Sequence, residues 1–257
     1  MVSESFPKLE YLMREAQQRR IGRLDCVVID GGDRPEYIVV ICHGYGANSE
    51  DLAPLGFEWI MSLGERASKY RFIFPNAPHS LAEFGMPFGR AWWPINMAKL
   101  AQLVEASAFD ELHQHEPPGI DEARDELTRL ITAACDELEV SHGRVALGGF
   151  SQGAMLTMDV ALRGDVPAPK VLLQFSGTMI CQTAWATAVE SRLKDTLVFQ
   201  SHGTIDPILP FSSAETVRDL LNENGVSLNF HSFNGPHTID LDSIAKSGML
   251  LESMETT

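Results

Sequence analysis

The segment Val145-Ala146-Leu147-Gly148-Gly149-Phe150-Ser151-Gln152-Gly153 runs an apolar stretch into a serine bracketed by glycines, and a second apolar stretch, Ala154 to Met158, follows at once. This order reads as a buried strand, a sharp turn and a buried helix. One glycine lets the chain turn steeply out of the strand, and the other lets the helix pass close to its neighbour. Ser151 then projects from a strained elbow at a helix N-terminus, where free N–H groups and the helix dipole favour negative charge. A serine held in this way is a candidate nucleophile.

Short apolar runs recur near Asp25–Ile29, Tyr37–Cys42, Arg71–Phe74, Val171–Phe175, Thr196–Gln200 and Val226–Phe233, alternating with helical patterns. Together with the run at Val145 they predict about seven strands in a mostly parallel sheet covered by helices on both faces. The clearest helix follows Pro117-Pro118-Gly119. There Ala123, Leu127, Leu130, Ile131, Ala134 and Leu138 recur at helical spacing behind the acidic first turn Asp121, Glu122, Asp125 and Glu126. This helix is expected to cover the strand that carries Ser151.

A serine hydroxyl is a weak nucleophile, so the reading requires a histidine to take its proton and a carboxylate to orient that histidine. The expected chain order is serine, acid, histidine. Asp206 stands after the run Thr196–Gln200, within Ser201-His202-Gly203-Thr204-Ile205-Asp206-Pro207, and His237 ends Asn234-Gly235-Pro236-His237. An Asp before Pro also suits a plain turn residue; the order favours it as the acid. Asp240 and Asp242 are rival acids but read as capping residues of a last helix. His202 and His231 are rival bases, read as structural or supporting.

An oxyanion hole needs two backbone donors, one from the residue after the nucleophile and one from a loop after an early strand. Gln152 supplies the first, and Tyr45, in the glycine-spaced His43-Gly44-Tyr45-Gly46, the second. His43 reads as a loop brace rather than a metal ligand, having no second ligand at a helpful spacing.

With His43-Gly44-Tyr45-Gly46, Phe74-Pro75-Asn76-Ala77-Pro78, Gly149–Gly153, His202-Gly203-Thr204 with Asp206-Pro207, and Gly235-Pro236-His237, the chain resembles the phospholipase/carboxylesterase family of the α/β-hydrolase superfamily, which includes acyl-protein thioesterases. The resemblance implies an α/β-hydrolase fold, a triad of Ser151, Asp206 and His237, and oxyanion donors at Tyr45 and Gln152. It also implies hydrolysis of short- to medium-chain carboxylic esters, or of thioesters or lysophospholipids, without a cofactor. By the same resemblance the aromatic-rich loop between Phe74 and Pro94 borders the acyl site, making Met86, Phe88, Trp92 and Trp93 the expected pocket residues. Family members often carry Leu at the position of Tyr45 and an acidic residue at that of Ala47. The stretch 97–119 is longer and more acidic than the family's usual connection and is expected to be an acidic loop or insertion. Within it, His113, His115 and Glu116 read as a solvated loop rather than a metal site.

The 257 residues, 44% hydrophobic, suit a single domain over 1–257 with a substantial core. A net charge of −15 argues against nucleic acid as a partner and against electrostatic binding to anionic membranes. The N-terminus lacks a secretory pattern, and no run is long enough to span a membrane, so a cytoplasmic enzyme acting on a small-molecule ester is expected, without stable membrane insertion. Cys26 and Cys42 in strands and Cys135 in a helix read as reduced core residues. Residues 1–8, the loop around 105–119 and the tail after Ser253 are the expected loose segments. Homodimerisation is left open by the sequence. A Cys nucleophile on the same scaffold is excluded by the serine in the elbow, and an idle binding protein on this fold would lack a triad member.

Overall fold

The computed structural model describes residues 15–255 except 107 and 109, together with the backbone alone of residue 110. The expected loose segment 1–8 lies outside the described residues. A hairpin opens the fold, β1 (Gln17–Ile21) and β2 (Leu24–Asp30), turned by Gly22 at φ +57°. Then come β3 (Tyr37–Cys42), α1 (Ser49–Leu63), β4 (Tyr70–Pro75), and a small ribbon of β5 (His79–Ser80) and β6 (Arg90–Ala91). Helices α2 (Met97–Glu105), α3 (Asp110–Gln114) and α4 (Ile120–Leu138) precede β7 (Val145–Phe150) and α5 (Gln152–Arg163). The last third is β8 (Val171–Phe175), α6 (Gln182–Leu193), β9 (Leu197–Gly203), α7 (Phe211–Glu223), β10 (Ser227–Phe233) and α8 (Leu241–Glu252).

The main sheet has eight strands in the order β1-β2-β4-β3-β7-β8-β9-β10, antiparallel through β1, β2 and β4 and parallel from β4 onward. Alternating side chains feed two cores. Ile38, Val40 and Cys42 of β3 join α4, α5, α6 and α7 on one face, while Tyr37, Val39 and Ile41 join α1 and α8 on the other. Burial of each such side chain contributes about 1.5–3 kcal/mol, which is why these doubly covered strands read as unbroken apolar runs. Among the described residues no helix is long and apolar enough to cross a membrane.

The sheet has one strand more than the seven expected, and four further expectations are corrected. The eighth strand, β1, is an edge strand whose Gln17, Gln18 and Arg20 face solvent, so it carries no apolar run. The stretch 97–119 is not a loop: Asn96 caps α2 by accepting from Lys99 N–H (3.0 Å), α3 follows, and Leu100, Val104 and Leu112 pack on the core. His113 is buried there and lies 3.1 Å from Ser213 Oγ, not solvated. Helix α4 lies chiefly against α5, β1 and β3, and it is α5 that covers β7. Beyond Ser253 the chain is docked through residue 255, with Met254 buried and Glu255 paired to Lys69 at 2.7 Å.

Parallel strands bring their C-terminal ends to one edge of the sheet. The loops after β3, β7, β9 and β10 therefore converge, and these carry Tyr45, Ser151, Asp206 and His237.

Candidate active site

Ser151 leaves β7 at φ 54°, ψ −117°, a region that non-glycine residues rarely occupy and that costs about 1–3 kcal/mol. Its N–H donates to Phe175 C=O (2.9 Å), and its own C=O accepts from Ala154 and Met155 N–H, starting α5. The bracketing glycines are required by contact. A Cβ on Gly149 would stand 2.4 Å from the Gly153 carbonyl carbon, and one on Gly153 would stand 2.0 Å from Cys42 O.

The loop after β3 is pressed onto the elbow, since a Cβ on Gly44 would lie 3.3 Å from Ser151 Cβ. His43 braces this loop as the sequence suggests. Its Nε2 accepts from Ala77 N–H (3.0 Å), which leaves Nδ1–H to donate to Gly44 C=O (2.7 Å), and burial pushes its pKa down to about 4. Gly46, at φ +85°, donates to Arg90 C=O, and Arg90 N–H returns to Ala47 C=O. Among the described residues, neither Tyr45 N–H nor Gln152 N–H donates to another group.

The Gln152 side chain is buried, with Oε1 accepting from Trp92 N–H (3.0 Å) and Nε2 donating to Trp93 C=O (2.8 Å). Trp92 is itself fully buried and gives its indole N–H to His43 C=O (2.9 Å). Trp92 thus fastens the two loops together and is not a pocket residue. Phe88 is 81% exposed and lines neither of the two hollows described below.

Asp206 follows β9, and its loop is stitched to that after β10: Thr204 N–H donates to Phe233 C=O and Ile205 N–H to Gly235 C=O. Oδ1 of Asp206 accepts from Ile208 and Leu209 N–H (2.8 and 2.9 Å); Oδ2 lies 2.6 Å from His237 Nδ1 and 3.2 Å from His202 Nε2. Burial alone would raise the Asp206 pKa. The hydrogen bonds from His202, His237 and Leu209 outweigh it and hold the carboxyl well below the usual carboxylate range. The His237 ring rests on that of Phe150, the residue before Ser151, with centroids 4.7 Å apart. The Ser151 hydroxyl makes no hydrogen bond among the described residues; such contacts are often long before substrate binds.

Of the rivals, His202 is at Asp206, while His231, Asp240 and Asp242 lie elsewhere. His231 Nε2 is 3.1 Å from Asp240 and its Nδ1 2.8 Å from Lys246 Nζ, while Asp240 caps α8 as expected. His231, Asp240 and Asp242 are close enough to share a metal, but Ser243 and Lys246 already occupy their ligand atoms.

Two hollows flank residues 94–96. One, of about 160 Å³, is lined largely by apolar groups, including Trp93, Ile95, Leu100, Leu103, Leu112, Met155, Ile180 and Leu209. The other, an open cleft of about 550 Å³, includes Tyr45, His79, Phe84, Met86 and Met97. Trp93 borders the first of these hollows and Met86 the second. Leu100, Leu103 and Leu112 were not read from the sequence, although Leu100, Leu103 and Val104 recur at helical spacing behind the Asn96 cap.

The family model of Phospholipase/Carboxylesterase matches residues 24–252. The chain belongs to that family. Its fold and elbow are those of an ester-hydrolysing enzyme of the carboxylesterase/acyl-protein thioesterase type. Relatives of this Phospholipase/Carboxylesterase protein include "Acyl-protein thioesterase 1" of Mycosarcoma maydis, 27% identical over 87% of this chain and 93% of that one. "Acyl-protein thioesterase 1" of Eremothecium gossypii is 30% identical over 71% of each. Among solved structures, esterase PE8 shares the fold with a TM-score of 0.71 at 24% identity, over 94% of this chain and 99% of that one.

Proposed function

We propose that the protein hydrolyses carboxylic esters of short- to medium-chain acids through an acyl-enzyme on Ser151. The observation that carries this is the 2.6 Å Asp206–His237 contact, with the His237 ring on Phe150 and the next residue, Ser151, held at φ 54° at a helix N-terminus. His237 takes the Ser151 proton as Oγ attacks the acyl carbon, and Asp206 holds the imidazole and balances its charge. The oxyanion is received by the unengaged N–H groups of Tyr45 and Gln152. Collapse of the tetrahedral intermediate breaks the acyl–oxygen bond, and His237 returns the proton to the leaving alcohol. Water, deprotonated by His237, then releases the acid and restores Ser151.

The 160 Å³ hollow supports an apolar acyl chain, because Met155 lies one helical turn beyond Ser151 and Leu209 donates to Asp206. A thioester substrate is the second reading, supported by the names of the relatives and by chemistry that differs only in the leaving group.

Fluorophosphonate labelling of the wild type and of Ser151→Ala, followed by hydrolysis of nitrophenyl esters graded from acetyl to palmitoyl, tests the proposal. Labelling lost in the variant and a maximum at one chain length are expected. An unlabelled, folded wild type would overturn it and favour a binding protein.

A further inference from the structure

His202 lies at the same carboxylate oxygen as His237. Its Nε2 is 3.2 Å from Asp206 Oδ2 and 2.8 Å from the carbonyl of Leu209, while Nδ1 is buried with no partner among the described residues, and the side chain has no solvent exposure. Both groups near Nε2 are acceptors, so the hydrogen sits on Nε2 and is shared between them. A second proton, on Nδ1, would be stranded in the interior without an acceptor. We propose that His202 is a positioning residue: a neutral imidazole that donates to Asp206 and to the Leu209 carbonyl at once, fixing the carboxylate that orients His237 and setting how strongly it holds the imidazolium. The proposal rests on the Ser151 hydrolase reading.

The surroundings leave this role to His202. From β10, Ser232 is its register partner, and the neighbouring His231 is engaged by Asp240 and Lys246. From α7, Phe211 meets the His202 ring edge-on at 6.2 Å, while Glu215, Arg218 and Asp219 pair among themselves. Leu209 N–H donates to Asp206 Oδ1 while its C=O accepts from His202, so one residue ties both ends of the arrangement. Two donors on Oδ2 divide its charge. Removing His202 leaves more of that charge for His237, so the imidazolium is favoured and activity is lost at a higher pH as the solution is acidified.

The test is the pH profile of kcat/KM for a nitrophenyl ester with wild type, His202→Leu and His202→Gln, alongside fluorophosphonate labelling of each. His202→Leu is expected to move the acid limb up by about half a pH unit. It should also lower kcat about tenfold or more, the effect of one hydrogen bond to a charged group, with KM little changed. Gln, whose amide N–H can stand in for Nε2–H, is expected to bring the limb back. A His202→Leu limb that coincides with wild type, or a Gln variant that behaves like Leu, would overturn the proposal. An unlabelled wild type would instead sink the hydrolase reading on which it rests. Should His202→Leu not fold, long-range ¹H–¹⁵N spectra of wild-type imidazoles decide. One ring is expected to show the Nε2–H tautomer at the pH of full activity, and only Nδ1–H tautomers there would refute the assignment.

Discussion

His237 Nδ1 stands 2.6 Å from Asp206 Oδ2, an oxygen on a side chain with no solvent exposure. A charge-assisted hydrogen bond of this length in a buried setting orients the ring as well as stabilising it. The loop contacts that create it are backbone ones. Gly203 allows them, because a Cβ there would lie 2.2 Å from Gly235 O.

Asp206→Asn removes the charge and keeps the shape. The substituted amide can still present its oxygen to Ile208 and Leu209 N–H, so its own N–H groups would face His237 and favour the wrong tautomer. Turnover is expected to fall by about 10⁴-fold in a variant that still folds, at a somewhat lower melting temperature because the stabilised carboxylate charge is gone. Near-normal kcat in the folded variant would show that Asp206 is not the acid.

Stability should decline on acidification through two groups. His43, buried and held near pKa 4, stays neutral in the fold while an unfolded imidazole protonates near pH 6.5. Between these values the unfolded chain binds more protons, so stability falls as pH drops from about 6.5 to about 4, by roughly 3 kcal/mol in all. Asp206 acts below that range: its pKa is depressed in the fold, so its contribution is present above the unfolded carboxylate value and is lost as pH falls toward the folded one. Urea midpoints measured from pH 7.5 to 5 should fall for the wild type and fall less steeply for His43→Asn, which cannot take the proton. Parallel slopes would exclude His43 as the source.

Much of this arrangement was legible in the sequence because it is local. Strands Tyr37–Cys42 and Val171–Phe175 have the bounds their apolar runs suggest, and Cys26, Cys42 and Cys135 fall in β2, β3 and α4 as read. Ser151, Asp206 and His237 are each announced by a glycine-bearing turn after a strand. What escaped depends on tertiary contact. Strand β1 is specified by pairing with β2 rather than by its own polar residues. Trp92 looks like a ligand contact in a loop, yet its burial is decided by Gln152 and His43, far away in the chain. The place of His202 beside Asp206 required knowing that the loop between them folds back through Leu209.

Asp159 lies on α5, the helix that begins at Ser151, and is fully buried. It accepts from Arg124 (2.9 Å), Arg163 (3.2 Å) and the Trp185 indole (2.8 Å). Asp159→Ala would leave Arg124, only 14% exposed, without its buried counter-charge. Breaking one side of such a network costs about 3–5 kcal/mol. Chemical denaturation should register that loss, whereas a change below about 1 kcal/mol would mean that solvent reaches Arg124 in its place.

The wall of the 160 Å³ hollow formed by α2 offers a way to set chain length without touching the chemistry. Leu103 lines the hollow from a half-buried position, where a larger side chain can fill space without displacing the core. Leu103→Trp should therefore shorten the accommodated acyl chain. Each methylene denied burial forfeits about 0.8 kcal/mol, so excluding two or three lowers kcat/KM for the best medium-chain ester by roughly ten- to sixtyfold. Hydrolysis of the acetyl ester, which does not reach α2, should be unaffected. The measurement is the ratio of the two rates in wild type and variant. An unchanged ratio would place the acyl chain elsewhere, with the open cleft beside Tyr45 and Met86 as the next wall to alter.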